Sequence, residues 1–186
     1  MTTKDYQVDS NTSVIEWAGK KVTGSHNGTI RLADGVLQFT DGVLTGGKIN
    51  IDTRSIVIVD VTDPATNAQF AGHLASDDFF AIEKFPVATL DFTSVSKPDN
   101  GDYHIAGLLT IRGITHPIEF DAQIEALDDR TVWAVAQLTV DRTLYNMKFR
   151  SGNFFKDLGD NLIYNDFTLR VRLSAKAVNE AAPALH

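Results

Sequence analysis

An all-β fold built from antiparallel strands is predicted by three features of this 186-residue sequence. Apolar and polar residues alternate with period two over long stretches, which gives each strand one dry and one wet face. Turn-forming residues punctuate those stretches. Helix signals gather in one place only. Parallel strands buried on both faces lose such alternation, so the sheet is antiparallel, closed as a barrel or stacked as a sandwich. Closure removes the exposed edges that a sheet of about eight or nine strands would otherwise have to protect.

The elements follow in chain order. Val14–Val22 places Ile15 and Trp17 in one phase. Thr29–Leu32 and Gly35–Thr40 flank Ala33-Asp34, read as a short turn, and Val43–Asp52 follows Asp41-Gly42. Asp63 is suited to cap a helix with Pro64 in its first turn, and Phe70 and Leu74 share one helical face. A second helical turn is expected from Ser76, with Asp77 and Asp78 near its N-terminus, before Pro86 returns the chain to strand. Val87–Ser96 and Tyr103–Ile111 flank the turn Lys97–Asp102, whose Asn100-Gly101 tolerates positive φ. Ile118–Ala126 and Thr131–Asp141 flank Asp128-Asp129-Arg130, and Phe167–Ala175 closes the set with an unbroken alternation. No linker or repeat divides the chain, so residues 1–178 form a single domain and 179–186 a flexible tail.

Composition narrows the chemistry. Seventeen Lys and Arg stand against 24 Asp and Glu, a net charge of −7 that repels nucleic-acid phosphates and anionic lipid headgroups unless a local basic patch survives the average, so no nucleic-acid partner is expected. Without cysteine there is no disulfide, thiolate metal site or cysteine nucleophile. No apolar run approaches the ~20 residues of a spanning helix, and stable membrane insertion is not expected. The start, Met1 to Tyr6, has no apolar stretch, so a cytoplasmic protein is expected as the chain stands, and a periplasmic one if a leader was removed. No P-loop, dinucleotide-binding glycine pattern, His-Glu-x-x-His or Gly-x-Ser-x-Gly occurs, and no cofactor is called for. The histidines at 26, 73, 104, 116 and 186 lack the spacing of metal ligands, so no metal site is expected.

Three groups of residues are candidates for binding. His26 sits in Gly24-Ser25-His26-Asn27-Gly28, a glycine-flanked turn that would orient its ring. Arg142 and Arg150 flank Tyr145, Met147 and Phe149, a segment able to meet an anionic headgroup through guanidinium; its plainer role is to hold a loop. The aromatics Trp17, Phe92 and Phe120 suit a core or a cavity wall equally. Phe70, Leu74, Phe79 and Phe80 are too apolar for a free surface and should pack over the barrel or its mouth, with Phe80 and Phe85 against a ligand.

Several short segments, in this order and spacing, resemble the YceI-like family of lipid- or polyisoprenoid-binding proteins. They are Tyr6-Gln7-Val8-Asp9, Trp17-Ala18-Gly19-Lys20, Gly24 to Gly28, His73 to Phe80 continuing to Glu83-Lys84-Phe85-Pro86, Gly107 to Thr115, Asp141-Arg142-Thr143 and Gly159-Asp160. The resemblance spans Tyr6 to about Ala177. It implies an extended antiparallel β-barrel of lipocalin type with one short helical insertion. It further implies a long cavity holding a lipid such as a polyisoprenoid, an isoprenoid quinone or a fatty-acid derivative, and no catalysis. Many members have glycine after the tyrosine of Arg-x-x-Tyr-Gly; here Asn146 follows Tyr145, and asparagine also tolerates left-handed geometry. The stretch Lys148–Leu158, with Phe149, Phe154 and Phe155, is expected to shape the mouth. Gly107, Ala122, Ala134 and Ala136 are small residues near strand centres, beside Leu109 and Leu169 in the inward phases. They lead to the expectation of an interior partly empty at mid-height. The rival functions are a His26-dependent enzyme on a hydrophobic substrate in the same cavity, and an interaction domain with a solid core. A homodimer stays open.

Overall fold

The computed structural model describes residues 2–97, 101–152, 158–159 and 162–178. Among the described residues nine strands, one α-helix and one 3-10 turn follow one another as β1 (Thr3–Val8), β2 (Val14–Lys21), β3 (Gly24–Thr40), β4 (Val43–Ile58), α1 (Pro64–Ala75), β5 (Val87–Ser96), β6 (Tyr103–Ile111), β7 (Ile114–Ala126), β8 (Thr131–Asp141), the 3-10 turn Arg142–Tyr145 and β9 (Ile163–Ala177). Every pairing is antiparallel. From β4 to β9 each strand pairs with the next, and β3 pairs with β4 to close the ring. The remaining position, between β9 and β3, is shared: β2 fills one half and β1 the other. Nine strands therefore make a closed barrel of eight positions.

The alternation read from the sequence is the alternation of burial. Along β6, Tyr103, Ile105, Gly107, Leu109 and Ile111 point inward and are buried, while their neighbours are exposed or half-buried. On β8 the inward phase is Val132, Ala134, Leu138 and Val140, with Ala136 half-buried. At the end far from α1 the barrel is plugged. The Tyr6 and Phe39 rings meet edge-on at 4.9 Å, and the Tyr103 hydroxyl accepts a hydrogen bond from the Leu44 amide at 3.2 Å.

The strands are longer than expected. The Ala33-Asp34 turn is absent, and β3 runs through it as one strand of 17 residues with register irregularities on either side of Ile30 and Ala33 in its pairing with β4. Such extra residues bend a strand, and a long strand in a small barrel has to bend. β1 was not foreseen, because six residues carrying only Tyr6 and Val8 inward give too short a pattern. The second helical turn at Ser76 is instead a series of tight turns.

Helix α1 is capped as expected. The Asp63 carboxylate accepts from the Thr66 amide at 2.9 Å and the Thr66 hydroxyl at 2.6 Å. Asn67 Nδ2 donates to the carbonyls of Ile58 and Val61 at 2.9 and 3.0 Å, tying the helix to the end of β4. Beyond the helix the chain folds back, with the Phe80 amide donating to the Leu74 carbonyl at 3.0 Å. The Arg112 guanidinium holds the carbonyls of Asp77 and Phe79 from the β6–β7 turn. No helix among the described residues is long and apolar enough to cross a membrane. Phe154, Phe155, the centre of the Lys97–Asp102 turn and the tail from residue 179 lie outside the described residues.

Candidate functional site

A cavity of about 700 Å³ occupies the end of the barrel that α1 covers. Its apolar walls come from inward positions on successive strands, among them Ile30, Ile51, Ala88, Leu109, Phe167 and Leu169. Its roof is the helix and the turns after it, through Phe70, Leu74, Phe79 and Phe80. Leu74 and Phe79 are buried, and Phe70 and Phe80 are half-buried against the core, so this segment packs over the mouth as the sequence suggested. Trp17 lies across Gly28 of the neighbouring strand. A Cβ at Gly28 would come within 1.8 Å of the Val57 carbonyl oxygen and 2.7 Å of the indole, so a side chain there would displace either the strand or the ring. The Trp17 indole N–H is buried and has no hydrogen-bond partner among the described residues.

Of the residues singled out from the sequence, Trp17, His26, Phe80, Leu109, Arg142, Phe149 and Leu169 meet at this cavity. Phe92, Phe120, Ala122, Ala134 and Ala136 do not. They line a separate void of about 60 Å³ deeper in the barrel, which Leu109 and Leu169 also touch. The mid-height emptiness expected from the small residues is therefore slight. Facing side chains such as Ile105, Leu138 and Phe92 fill most of that level, and the open volume lies nearer the mouth.

Three candidates sit outside both spaces. Gly107 is where β6 passes close to β5: a Cβ there would stand 2.6 Å from the Asp91 carbonyl oxygen. Phe85 packs on Gly113 of the β6–β7 turn. Its carbonyl accepts from the Thr53 hydroxyl at 2.9 Å. Tyr145 is buried edge-on against His116 at 5.4 Å. Burial, helped by the charge of Asp141, pushes its hydroxyl up to about 12, so it stays protonated near neutrality.

Arg142 organises the connection from β8 to β9. It is 4 % exposed. Its Nε donates to the Tyr164 carbonyl at 3.0 Å, Nη2 to the Ile163 carbonyl at 3.0 Å and Nη1 to the Met147 carbonyl at 2.6 Å. The local chain permits this because Asn146 adopts the left-handed conformation at φ 63°. Desolvation lowers the Arg142 pKa below its ordinary value, and Asp141 opposes the shift. The guanidinium carbon also stands 5.8 Å from the centre of the Phe79 ring, and that of Arg150 stands 5.0 Å from the Phe149 ring. The two rings meet edge-on at 5.9 Å.

Two histidine–aspartate pairs lie at the mouth. His26 Nδ1 is 2.8 Å from Asp60 Oδ2, and the ring meets Phe70 edge-on at 4.7 Å. Desolvation works to raise the Asp60 pKa. The Asn27 amide and the His26 ring outweigh it by hydrogen bonding to the carboxylate, and the pKa stands below its ordinary value. His73 Nε2 is 3.0 Å from Asp78 Oδ2, with its ring between Phe79 and Phe149 at 5.0 and 4.5 Å. In the sequence His73 stands out only as one of five histidines without metal-ligand spacing. Its spacing of three from Phe70, on a capped helix, is the signal that places it beside the covered face. Lys20 and Lys21 were missed as well, although a basic pair stands out in an acidic chain.

His104 is elsewhere, on the outer face of β6 between Asp121 at 2.9 Å and Glu119 at 3.4 Å. The hydrogen bond to Asp121 first, then that to Glu119, raises its pKa above 6.5. A raised folded-state pKa adds stability that is complete below the unfolded value and is lost as pH rises through the folded one. An NMR titration of the ring is expected to show the elevated value, and Asp121→Asn to bring it back towards 6.5. A pKa unmoved by that substitution would refute the assignment.

Residues 6–175 match the YceI-like domain. Curated relatives include a UPF0312 protein of Shewanella denitrificans, 36% identical over 91 residues, 48% of this chain and 44% of that protein. Protein YceI of Escherichia coli is 36% identical over 98 residues, 52% of this chain and 48% of that protein. The aligned segments span about half the length of these relatives. Among solved structures, Burkholderia cenocepacia BcnA superposes with a TM-score of 0.69 at 21% identity, covering 90% of this chain and 98% of that one. A polyisoprenoid binding domain from Saccharophagus degradans, implicated in plant cell wall breakdown, gives 0.66 at 17% identity, covering 93% and 98%. These two likenesses extend over nine-tenths of the chain, and the family match extends across nearly all of the barrel: the chain belongs to the YceI-like family.

Proposed function

We propose that the protein binds, stores or transports an amphiphilic ligand whose apolar chain lies inside the barrel, without catalysis. The observation that carries this reading is the cavity itself. Its volume of about 700 Å³ is enclosed by largely apolar walls that include a limited set of polar and charged side chains. Ligand sites commonly measure roughly 300–1,000 Å³ and share that design. A solid-cored interaction domain would leave no such space. The polyisoprenoid binding domain with the same fold supports a polyisoprenoid, an isoprenoid quinone or a fatty-acid derivative as ligand. A long polyprenyl tail has to fold back on itself to fit a barrel roughly 25 Å tall. Native mass spectrometry of freshly purified protein, followed by organic extraction, is expected to show a bound lipid. Absence of lipid, together with failure to take up added prenyl or acyl chains, refutes the proposal.

One observation favours a second reading. The His26 ring lines the cavity and is held by Asp60, an arrangement that fixes an imidazole for proton transfer. An enzyme of this kind would convert a hydrophobic substrate during incubation and lose turnover in His26→Gln. A carrier returns its ligand unchanged.

A further inference from the structure

We infer that the ligand carries an anionic headgroup, a carboxylate or a phosphate ester, held at the mouth by Arg142 and Arg150 with Lys20 and Lys21 beside them. This rests on the amphiphile-binding reading above and adds the chemistry of the head. The chain as a whole has a net charge of −7. The cavity wall reverses that sign: Lys20, Lys21, Arg142 and Arg150 line it, against the carboxylates of Asp78 and Asp166. Asp78 is already engaged by His73 at 3.0 Å. Among the described residues none of the four cations is ion-paired.

Arg142 is the centre of the argument. Its three hydrogen bonds all end on backbone carbonyls, which satisfy donors but carry no net charge; the Asp141 carboxylate offsets the charge only in part and forms no ion pair with it among the described residues. A guanidinium has five N–H donors, so two remain after those three bonds. A buried cation without a paired counter-ion is unfavourable, and burial works against its charged form more strongly than the charge of Asp141 favours it. An anion entering the cavity would remove that penalty and take the free donors. The rings of Phe79 and Phe149 lie between the two arginines, each facing one guanidinium, so a chain can pass along apolar surface while its head stays among cations. A carboxylate or phosphate is the natural partner of a planar guanidinium fork.

The test compares ligands of one tail and different heads: dodecanoate, dodecyl phosphate, dodecanol and dodecanamide, titrated against the full chain and followed by intrinsic tryptophan fluorescence, to which Trp17 and Trp133 both contribute, and by calorimetry. Dodecanoate and dodecyl phosphate are expected to bind at least tenfold more tightly than the two neutral analogues, with the margin shrinking as salt rises. Which of the two binds tighter assigns carboxylate or phosphate. Acetate and inorganic phosphate at millimolar concentration should not displace them, because the chain supplies the burial. Lys21→Gln with Arg150→Gln is expected to cut the ratio of dodecanoate to dodecanol affinity at least threefold, and Lys48→Gln, outside the cavity, to leave that ratio unchanged. Arg142→Lys serves where it folds; the Lys21 and Arg150 pair keeps the test open where it does not. Equal affinity for charged and neutral heads, or an anion preference that survives the double substitution, overturns the inference while leaving an amphiphile binder in place. If none of the four compounds binds, the binder reading falls and the inference with it.

Discussion

Arg142→Leu is expected to destabilise the protein by about 3–5 kcal/mol. The guanidinium gathers three carbonyls, those of Met147, Ile163 and Tyr164, from the two ends of the β8–β9 connection. Leucine fills part of the volume and bonds none of them. A buried acceptor left unsatisfied costs about 1–3 kcal/mol. The Met147 bond is fully buried and the other two are partly so, which places the total in the lower half of the summed range. At about 2–4 °C per kcal/mol for a chain of this size, the melting temperature should fall by roughly 10 °C. Arg142→Lys should recover only a minority of the loss, because one ammonium cannot span three carbonyls set around a planar fork. Urea denaturation of the ligand-free protein measures both. A loss below about 1 kcal/mol for the leucine variant would mean that water reaches these carbonyls and that the arginine is retained for its charge alone.

The barrel was legible because its physics is local. In β6 and β8 each residue alternates in burial with the next, and a strand half in water writes that period directly into its sequence. The helical cover was legible for a similar reason: Asp63, Pro64, Phe70 and Leu74 carry the cap and the covered face within a dozen residues. What could not be read was which inward residues face space and which face each other. Ala134 and Ala88 are both small, inward and buried, yet one borders the 60 Å³ void and the other the 700 Å³ cavity. The difference is made by residues across the barrel, distant in sequence, whose facing depends on a register that no local pattern fixes. His26 and Asp60 are likewise 34 residues apart and meet only because β3 and β4 pair. Phe85 was misplaced by the reverse effect. Its apolar neighbours suggested the mouth, but the turn at Arg112-Gly113 draws it to the rim of β6.

Introducing phenylalanine at those two alanines should separate cavity from core within one molecule. Ala134→Phe adds a ring where the void measures about 60 Å³. A space able to admit benzene is nearer roughly 150 Å³. The ring must therefore push Leu138, Leu173 and their neighbours off their rotamers, and overpacking of this kind costs about 1–3 kcal/mol. Ala88→Phe places the same ring against the cavity of about 700 Å³, where it can lie without displacing a neighbour. Its stability in the ligand-free state should change by less than about 1 kcal/mol, because added apolar contact offsets the loss of side-chain freedom. Ligand behaviour should run the other way. Ala88→Phe takes volume that an apolar chain would occupy and should lower dodecanoate affinity by about tenfold or more, roughly the 1.4 kcal/mol of one or two excluded methylenes. Ala134→Phe, deeper than the cavity floor, should retain affinity wherever it stays folded. Thermal denaturation of both variants without ligand, followed by titration with dodecanoate, gives the four values needed. Should Ala88→Phe prove as destabilised as Ala134→Phe, the space above Ala88 closes in solution, and the barrel has no room for the chain it is proposed to hold.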